Sequence, residues 1–144
     1  MRALLDTNVV SEWVKTRPSP EVDAWLRLVD PTDLHISVVT MAEVARGIEK
    51  LPAGQRKTRL EAWSSAELLN YFADNILGVD VEVARCWGAI CAAAERRGRR
   101  MGPMDAFLAA TAEVHGLTLV TRNVKDFEVW RGPVFNPWIE TGPA

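Results

Sequence analysis

Short apolar runs alternate with segments of helical period from one end of this chain to the other, and that alternation leaves few folds open. The runs are Arg2 to Leu5, "LHISV" at 34–38, "ILGVD" at 76–80, "LTLVT" at 117–121 and "VFNPW" at 134–138. Between them, apolar residues recur at helical spacing, as in Val22, Trp25, Leu26 and Val29, or Met41, Val44, Ile48 and Leu51. Strands alternating with helices build a parallel sheet covered on both faces. The expected fold class is therefore α/β, a three-layer α/β/α domain around a central parallel sheet of 4–5 strands. No repeat or linker interrupts the chain, so one domain over 1–144 is expected. Pro137 cannot donate to a ladder, which puts the fifth strand at an edge.

Local signals set the helix ends. A first helix after Asp6 carries Val9, Val10, Trp13 and Val14 on one face and ends before Pro18. Ser19 and Pro20 open the second helix as cap and first-turn residue. "TMAE" has the form of a capping box, Thr40 with Glu43 three residues on. A helix over Gln55 to Phe72 and a long one from about Val81 to Arg97, with Val83, Trp87, Ile90 and Ala94 inward, follow. The helix "PMDAFLAATAEVH" is closed by Gly116.

Composition excludes more than it assigns. A net charge of -2 with 48% hydrophobic residues argues against disorder and against general attraction to polyanions. Nucleic-acid binding would need a local basic patch. No segment is apolar enough to span a bilayer and the start lacks a signal core, which points to the cytoplasm. Cys86 and Cys91 sit apart around a helix, poor geometry for a disulfide and ordinary for small hydrophobes in a reducing compartment. His35 and His115 have no spacing that groups them as ligands, and both read as structural.

Right-handed crossovers collect the strands' carboxyl ends along one edge, where ligands of such sheets bind. Four acids fall where that geometry would gather them: Asp6 at the end of the first strand, Glu43 in the helix after the second, Asp105 opening its helix, and Asp126 beyond the fourth strand. Each alone has an ordinary explanation as a cap or first-turn acid. Together they repel by roughly 4 kcal/mol per close pair at an effective dielectric near 20. Capping does not require that crowding; a hard divalent cation with oxygen ligands does.

"LLDTNVVSE", "TMAEVARGIEKL", "PMDAFLAATAEVHGLTLVTRN" and "FNPW" together resemble the PIN-domain family, and more narrowly the VapC-type toxins of type II toxin–antitoxin pairs, near the FitB-like members. The resemblance implies a Mg²⁺- or Mn²⁺-dependent endoribonuclease with Asp6, Glu43 and Asp105 as metal site. At the fourth acidic position this chain has Asn123 where many relatives have Asp, and Asp126 stands three residues on. One firm metal position is therefore expected, with a second filling mainly when substrate binds. The family implies attack of a metal-activated water in line with the departing 3′ oxygen. Thr7, Asn8 and Thr121 are candidates to orient carboxylates or water. The resemblance also implies a cognate antitoxin, DNA contact only through that antitoxin, and a homodimer.

"ERRGRR" places Arg99 and Arg100 just ahead of Asp105, either as a favourable helix end or as a contact for RNA or an acidic antitoxin segment. Arg46 and Arg122 are weaker candidates for the same work. Trp13, Val14, Trp25 and Leu26, on consecutive amphipathic helices, are core residues or a groove for an antitoxin segment. Rival readings are a haloacid-dehalogenase-type phosphatase, which needs a second acid where Asn8 stands, a PIN nuclease of RNA processing without an antitoxin, and a non-catalytic binding protein.

Overall fold

β1 (Ala3–Leu5) is the central strand of the sheet, and every side chain on it is fully buried. In this computed structural model, which describes residues 1–141, parallel partners flank β1: β2 (Leu34–Ser37) on one side and β4 (Thr118–Val120) on the other. Ala3 stands opposite both Leu34 and Thr118. Two-residue strands, β3 (Ile76–Leu77) and β5 (Val134–Phe135), complete the order β3-β2-β1-β4-β5. All pairings are parallel, so the strands' carboxyl ends share one edge. The expected α/β/α architecture is the one adopted; the final three residues of the expected 1–144 domain lie outside the described residues.

Helices bury the sheet on both faces, and β1 divides its side chains between them. Ala3 and Leu5 join one apolar cluster with Val22, Trp25, Ile36 and Phe72, whereas Leu4 joins the other with Val83, Leu108, Leu119 and Phe127. This double cover explains why β2 is buried at all four positions, although "LHISV" alternates in polarity. His35 tolerates burial there because its Nδ1 lies 3.2 Å from the Ala3 carbonyl oxygen and 3.1 Å from that of Asp33.

Two helices start or run differently from expectation. α1 (Thr7–Val10) tightens at once into a 3₁₀ turn, Ser11–Val14, so Val9 and Val10 are buried while Trp13 is 38% exposed. After α2 (Pro20–Leu28), capped by Ser19 as expected, α3 (Val38–Glu49) begins earlier than its sequence signal. Its cap is Ser37, whose Oγ accepts from the Val39 N–H at 3.0 Å. Thr40 therefore lies inside the helix with its buried hydroxyl unpartnered, no capping box forms, and Glu43 is left free for other contacts.

The remaining helices follow the pattern. α4 (Gln55–Ala62) and α5 (Leu68–Phe72) form one run broken by a π turn at Trp63–Glu67. α6 (Val81–Arg96) packs along α7 (Pro103–His115), which ends at Gly116 with φ 64°. A left-handed residue there is what glycine permits without a Cβ clash. α7 runs back toward β4, which brings its first turn, and Asp105, to the strands' carboxyl edge. Both cysteines are free thiols. Among the described residues, no helix is long and apolar enough to cross a membrane.

Candidate active site

Asp6 follows β1 directly and is 7% exposed, so its carboxylate is placed by the central strand of the sheet. Oδ1 accepts from the Thr7 N–H at 2.7 Å, capping α1, and Oδ2 accepts from the Thr121 hydroxyl at 2.7 Å. The Asn8 amide reaches Thr121 Oγ1 at 3.3 Å and Asp6 Oδ2 at 3.5 Å. Asn8 Oδ1 in turn accepts from the Arg122 N–H at 3.3 Å. The three residues expected to orient the site thus form one network that ties the end of β1 to the end of β4. Capping and site-building are duties of the same carboxylate.

Glu43 lies in the second turn of α3, and its Oε1 accepts from the Thr7 hydroxyl at 3.0 Å. Thr7 therefore links the first acid to the second, through its amide and its hydroxyl. Asp105 sits in the first turn of α7, with its carboxylate folded back over Gly102; a Cβ at 102 would lie 3.3 Å from Oδ2. The glycine gives that carboxylate room.

The acids sense one another. Burial, then the charges of Asp126, Asp6 and Glu43, push Asp105 up to about 6 from an ordinary 3.8. Burial raises Asp6, opposed by its bonds from Thr121 and Thr7, with the Asp126 charge raising it further. Glu43 is raised by burial, opposed by the Thr7 bond, while Asp6 raises it and nearby Arg46 lowers it. Four carboxylates remote in sequence share one electrostatic neighbourhood, as expected from the topology. Asn123 does not supply an acid there. Its backbone N–H donates to Thr121 Oγ1 at 3.0 Å, and it opens the 3₁₀ turn Val124–Phe127 that carries Asp126 toward Asp105.

The donor set is all oxygen, and its mutual repulsion is relieved by a divalent cation, so it fits a hard ion such as Mg²⁺ or Mn²⁺. Among the described residues, no three His, Cys, Asp or Glu side chains form a ready-made metal cage. Such a cage is not what Mg²⁺ selects, because it keeps several waters and takes one or two carboxylates.

The basic candidates separate. Arg99 Nη2 donates to Glu128 Oε2 at 3.1 Å, whereas Arg100 lines a cleft with Asp105, Lys125 and Asp126. The Arg122 guanidinium stacks over the Trp138 ring at 5.3 Å. The apolar candidates do not share a groove. Trp25 is buried, 5.6 Å from the Phe135 ring, with Leu26 half-buried beside the core. Trp13 packs on Tyr71 and Phe72 and lines a separate cavity of about 120 Å³, and Val14 is half-buried.

Sequence reading missed Lys125, whose signal was a cation within the turn that carries Asp126. It also missed Asn136, the buried residue of "FNPW". The Asn136 amide donates to the Arg122 carbonyl at 3.4 Å and its Oδ1 accepts from the Trp138 N–H at 2.9 Å, which anchors the turn after β4.

Fold and site together define a doubly wound α/β protein with an acid-lined cleft at the carboxyl edge of its sheet. The chain belongs to the PIN domain family, whose model matches residues 3–129. It is 37% identical to Toxin FitB of Neisseria gonorrhoeae over 94% of this chain and 97% of that protein. It is 35% identical to VapC ribonuclease Y4jK of Sinorhizobium fredii over 94% and 96%. The solved structure of FitAB bound to the IR36 DNA fragment superposes with a TM-score of 0.91 at 35% identity, covering 97% of this chain and 98% of that one.

Proposed function

We propose that this protein is a divalent-metal-dependent endoribonuclease that acts as the toxin of a toxin–antitoxin pair. The observation that carries the reading is the convergence of Asp6, Glu43, Asp105 and Asp126 on one edge, where the other three charges all bear on Asp105. Its similarity to a VapC ribonuclease and to Toxin FitB supports the reaction and the biological role.

Asp6, Glu43 and Asp105 are the residues that would hold Mg²⁺ or Mn²⁺, with Asp126 rather than Asn123 as the fourth acid. When bound, the ion supplies Lewis-acid activation of water and neutralises the attacked phosphate. The protein's own contribution is orientation: Thr121 and Thr7 fix both Asp6 oxygens, and the Thr7 hydroxyl fixes Glu43. With the carboxylates held this way, little reorganisation remains when charge develops at the phosphate. Arg46 offsets Glu43, and the Arg122 N–H donates to Asn8 Oδ1 while its guanidinium rests on Trp138. A cognate antitoxin, DNA contact through that antitoxin, a homodimer and residence in the cytoplasm complete the reading. The assembly of FitAB on DNA and the absence of a membrane-crossing helix among the described residues support it.

Inducible expression of the wild type and of Asp6→Asn, with total RNA examined for new fragments, tests the proposal. Growth arrest and fragmentation are expected with the wild type alone. Equal arrest by both chains overturns it.

A further inference from the structure

We infer that the cleft beside the acid cluster seats a second phosphate of the RNA strand, next to the one attacked, and that Arg100 and Lys125 hold it. This rests on the ribonuclease reading above. The cleft has a volume of about 150 Å³ and lies between the α6–α7 connection and the 3₁₀ turn after β4. That is room for several water molecules, or for one phosphate group. Asp105 and Asp126 line it together with Arg99, Arg100, Gly102 and Lys125, so it opens directly off the acid site.

The arginines of "ERRGRR" divide into two roles. Arg97 Nη1 donates to the Val129 carbonyl at 2.7 Å, and Arg99 is paired with Glu128. These bonds fasten the connection to the segment after β4 and fix the width of the cleft; Gly98, at φ 67°, allows the chain to turn between them. Arg100 and Lys125 line the same cleft and form no ion pair among the described residues. Two cations left unpaired beside Asp105 and Asp126 are not spent on neutralising those acids. They are placed for an anion that arrives from outside.

An RNA strand brings such an anion with every nucleotide. A strand with one phosphate at the acid cluster carries the next one outward along the cleft. There the guanidinium fork matches phosphate oxygens bidentately and the lysine adds a point charge. An acidic peptide has no such obligatory spacing from the reacting group.

Fluorescence anisotropy of a labelled random-sequence oligoribonucleotide, in EDTA and across a KCl series, tests this without cleavage. Arg100→Ala/Lys125→Ala is compared with Arg56→Ala/Arg59→Ala, a change of equal charge on α4, which contributes no residue to the cleft. The cleft variant is expected to bind about tenfold more weakly, with the slope of log K against log salt smaller by about 0.7 for each phosphate no longer neutralised. The α4 variant is expected to match the wild type. Equal weakening in both, or none in the cleft variant, overturns the inference. So does weakened poly-glutamate binding with RNA binding intact, which would reassign the cleft to an acidic protein. Glutamine replacements at 100 and 125 carry the same test should the alanine variant unfold in part. Failure of the wild type to cleave RNA with Mg²⁺ would sink the nuclease reading alone, because binding is measured without metal.

Discussion

The Thr121 hydroxyl donates to Asp6 Oδ2 over 2.7 Å, joining residues 115 positions apart at the ends of adjacent strands. Thr121 is fully buried, and nothing else holds that oxygen as closely. Thr121→Val keeps the side chain's shape and removes the donor. Mn²⁺ affinity, measured by calorimetry, is expected to fall about 10- to 100-fold, as for other partners of metal-holding carboxylates. Thr121→Ser should restore most of it. Wild-type affinity in the valine variant would show that the hydroxyl does not orient the site.

Asp126 and Asn123 make opposite predictions. The charge of Asp126 bears on Asp105 and Asp6, whereas Asn123 enters the network only through its backbone. Asp126→Asn is expected to lower the cleavage rate by at least about tenfold, the scale of removing a partner at a metal site. Asn123→Ala should stay within a few-fold of wild type. A ranking the other way round in RNA cleavage assays would return the fourth acidic role to position 123.

Burial and crowding of the acids make the stability of the metal-free protein depend on pH. Asp105 titrates at about 6 in the folded chain against 3.8 ordinarily, so between those values the folded state binds more protons than the unfolded one. Stability then falls as pH rises through that window, being fully present below the lower value and lost above the upper. The raised Asp6 and Glu43 act in the same direction. Urea midpoints in EDTA are expected to decline from about pH 4 to about pH 6.5, and Asp105→Asn should flatten the decline. Added Mg²⁺ at neutral pH should raise the midpoint of the wild type. A midpoint that climbs over this range would contradict the crowding.

Replacing the true cap of α3 should matter, and replacing the apparent one should not. Ser37→Ala is expected to cost about 1 kcal/mol in urea unfolding, because the Val39 N–H is left without its acceptor. Thr40→Val exchanges a buried, unpartnered hydroxyl for a methyl group and should be neutral or stabilising. A larger destabilisation at Thr40 than at Ser37 would mean that the box forms in solution.

The sheet was legible in the sequence because short buried strands and amphipathic helices have different periods, and that difference needs no tertiary information. The edge position of the strand before Pro137 was legible for the same local reason. The acid cluster followed from topology only in part. A parallel sheet leaves one edge for its carboxyl ends, whereas bringing Asp105 there required its helix to run opposite to the fourth strand, after a crossing by α6 that local sequence signals do not determine. What sequence could not resolve was competition between neighbours. Ser37 and Thr40 are both good caps, and only burial of the strand end decides for Ser37. Likewise, "ERRGRR" offers equivalent arginines until Val129 and Glu128 claim two of them. The helix read over Val9 to Val14 forms, but it tightens to a 3₁₀ turn at Ser11, so Val9 and Val10 are buried while Trp13 is exposed.

The central strand precedes its neighbour β4 by most of the domain, and this order has a consequence for how the site is assembled. β1 is complete after Leu5, yet its neighbour β4 spans Thr118–Val120 and the hydroxyl that steers Asp6 arrives only at Thr121. A growing chain therefore holds Asp6 without its Thr121 partner until β4 has been made. The acid site is thus assembled only once β4 and the residue after it have been added, so a chain cut short before β4 lacks the bond that fixes Asp6 Oδ2.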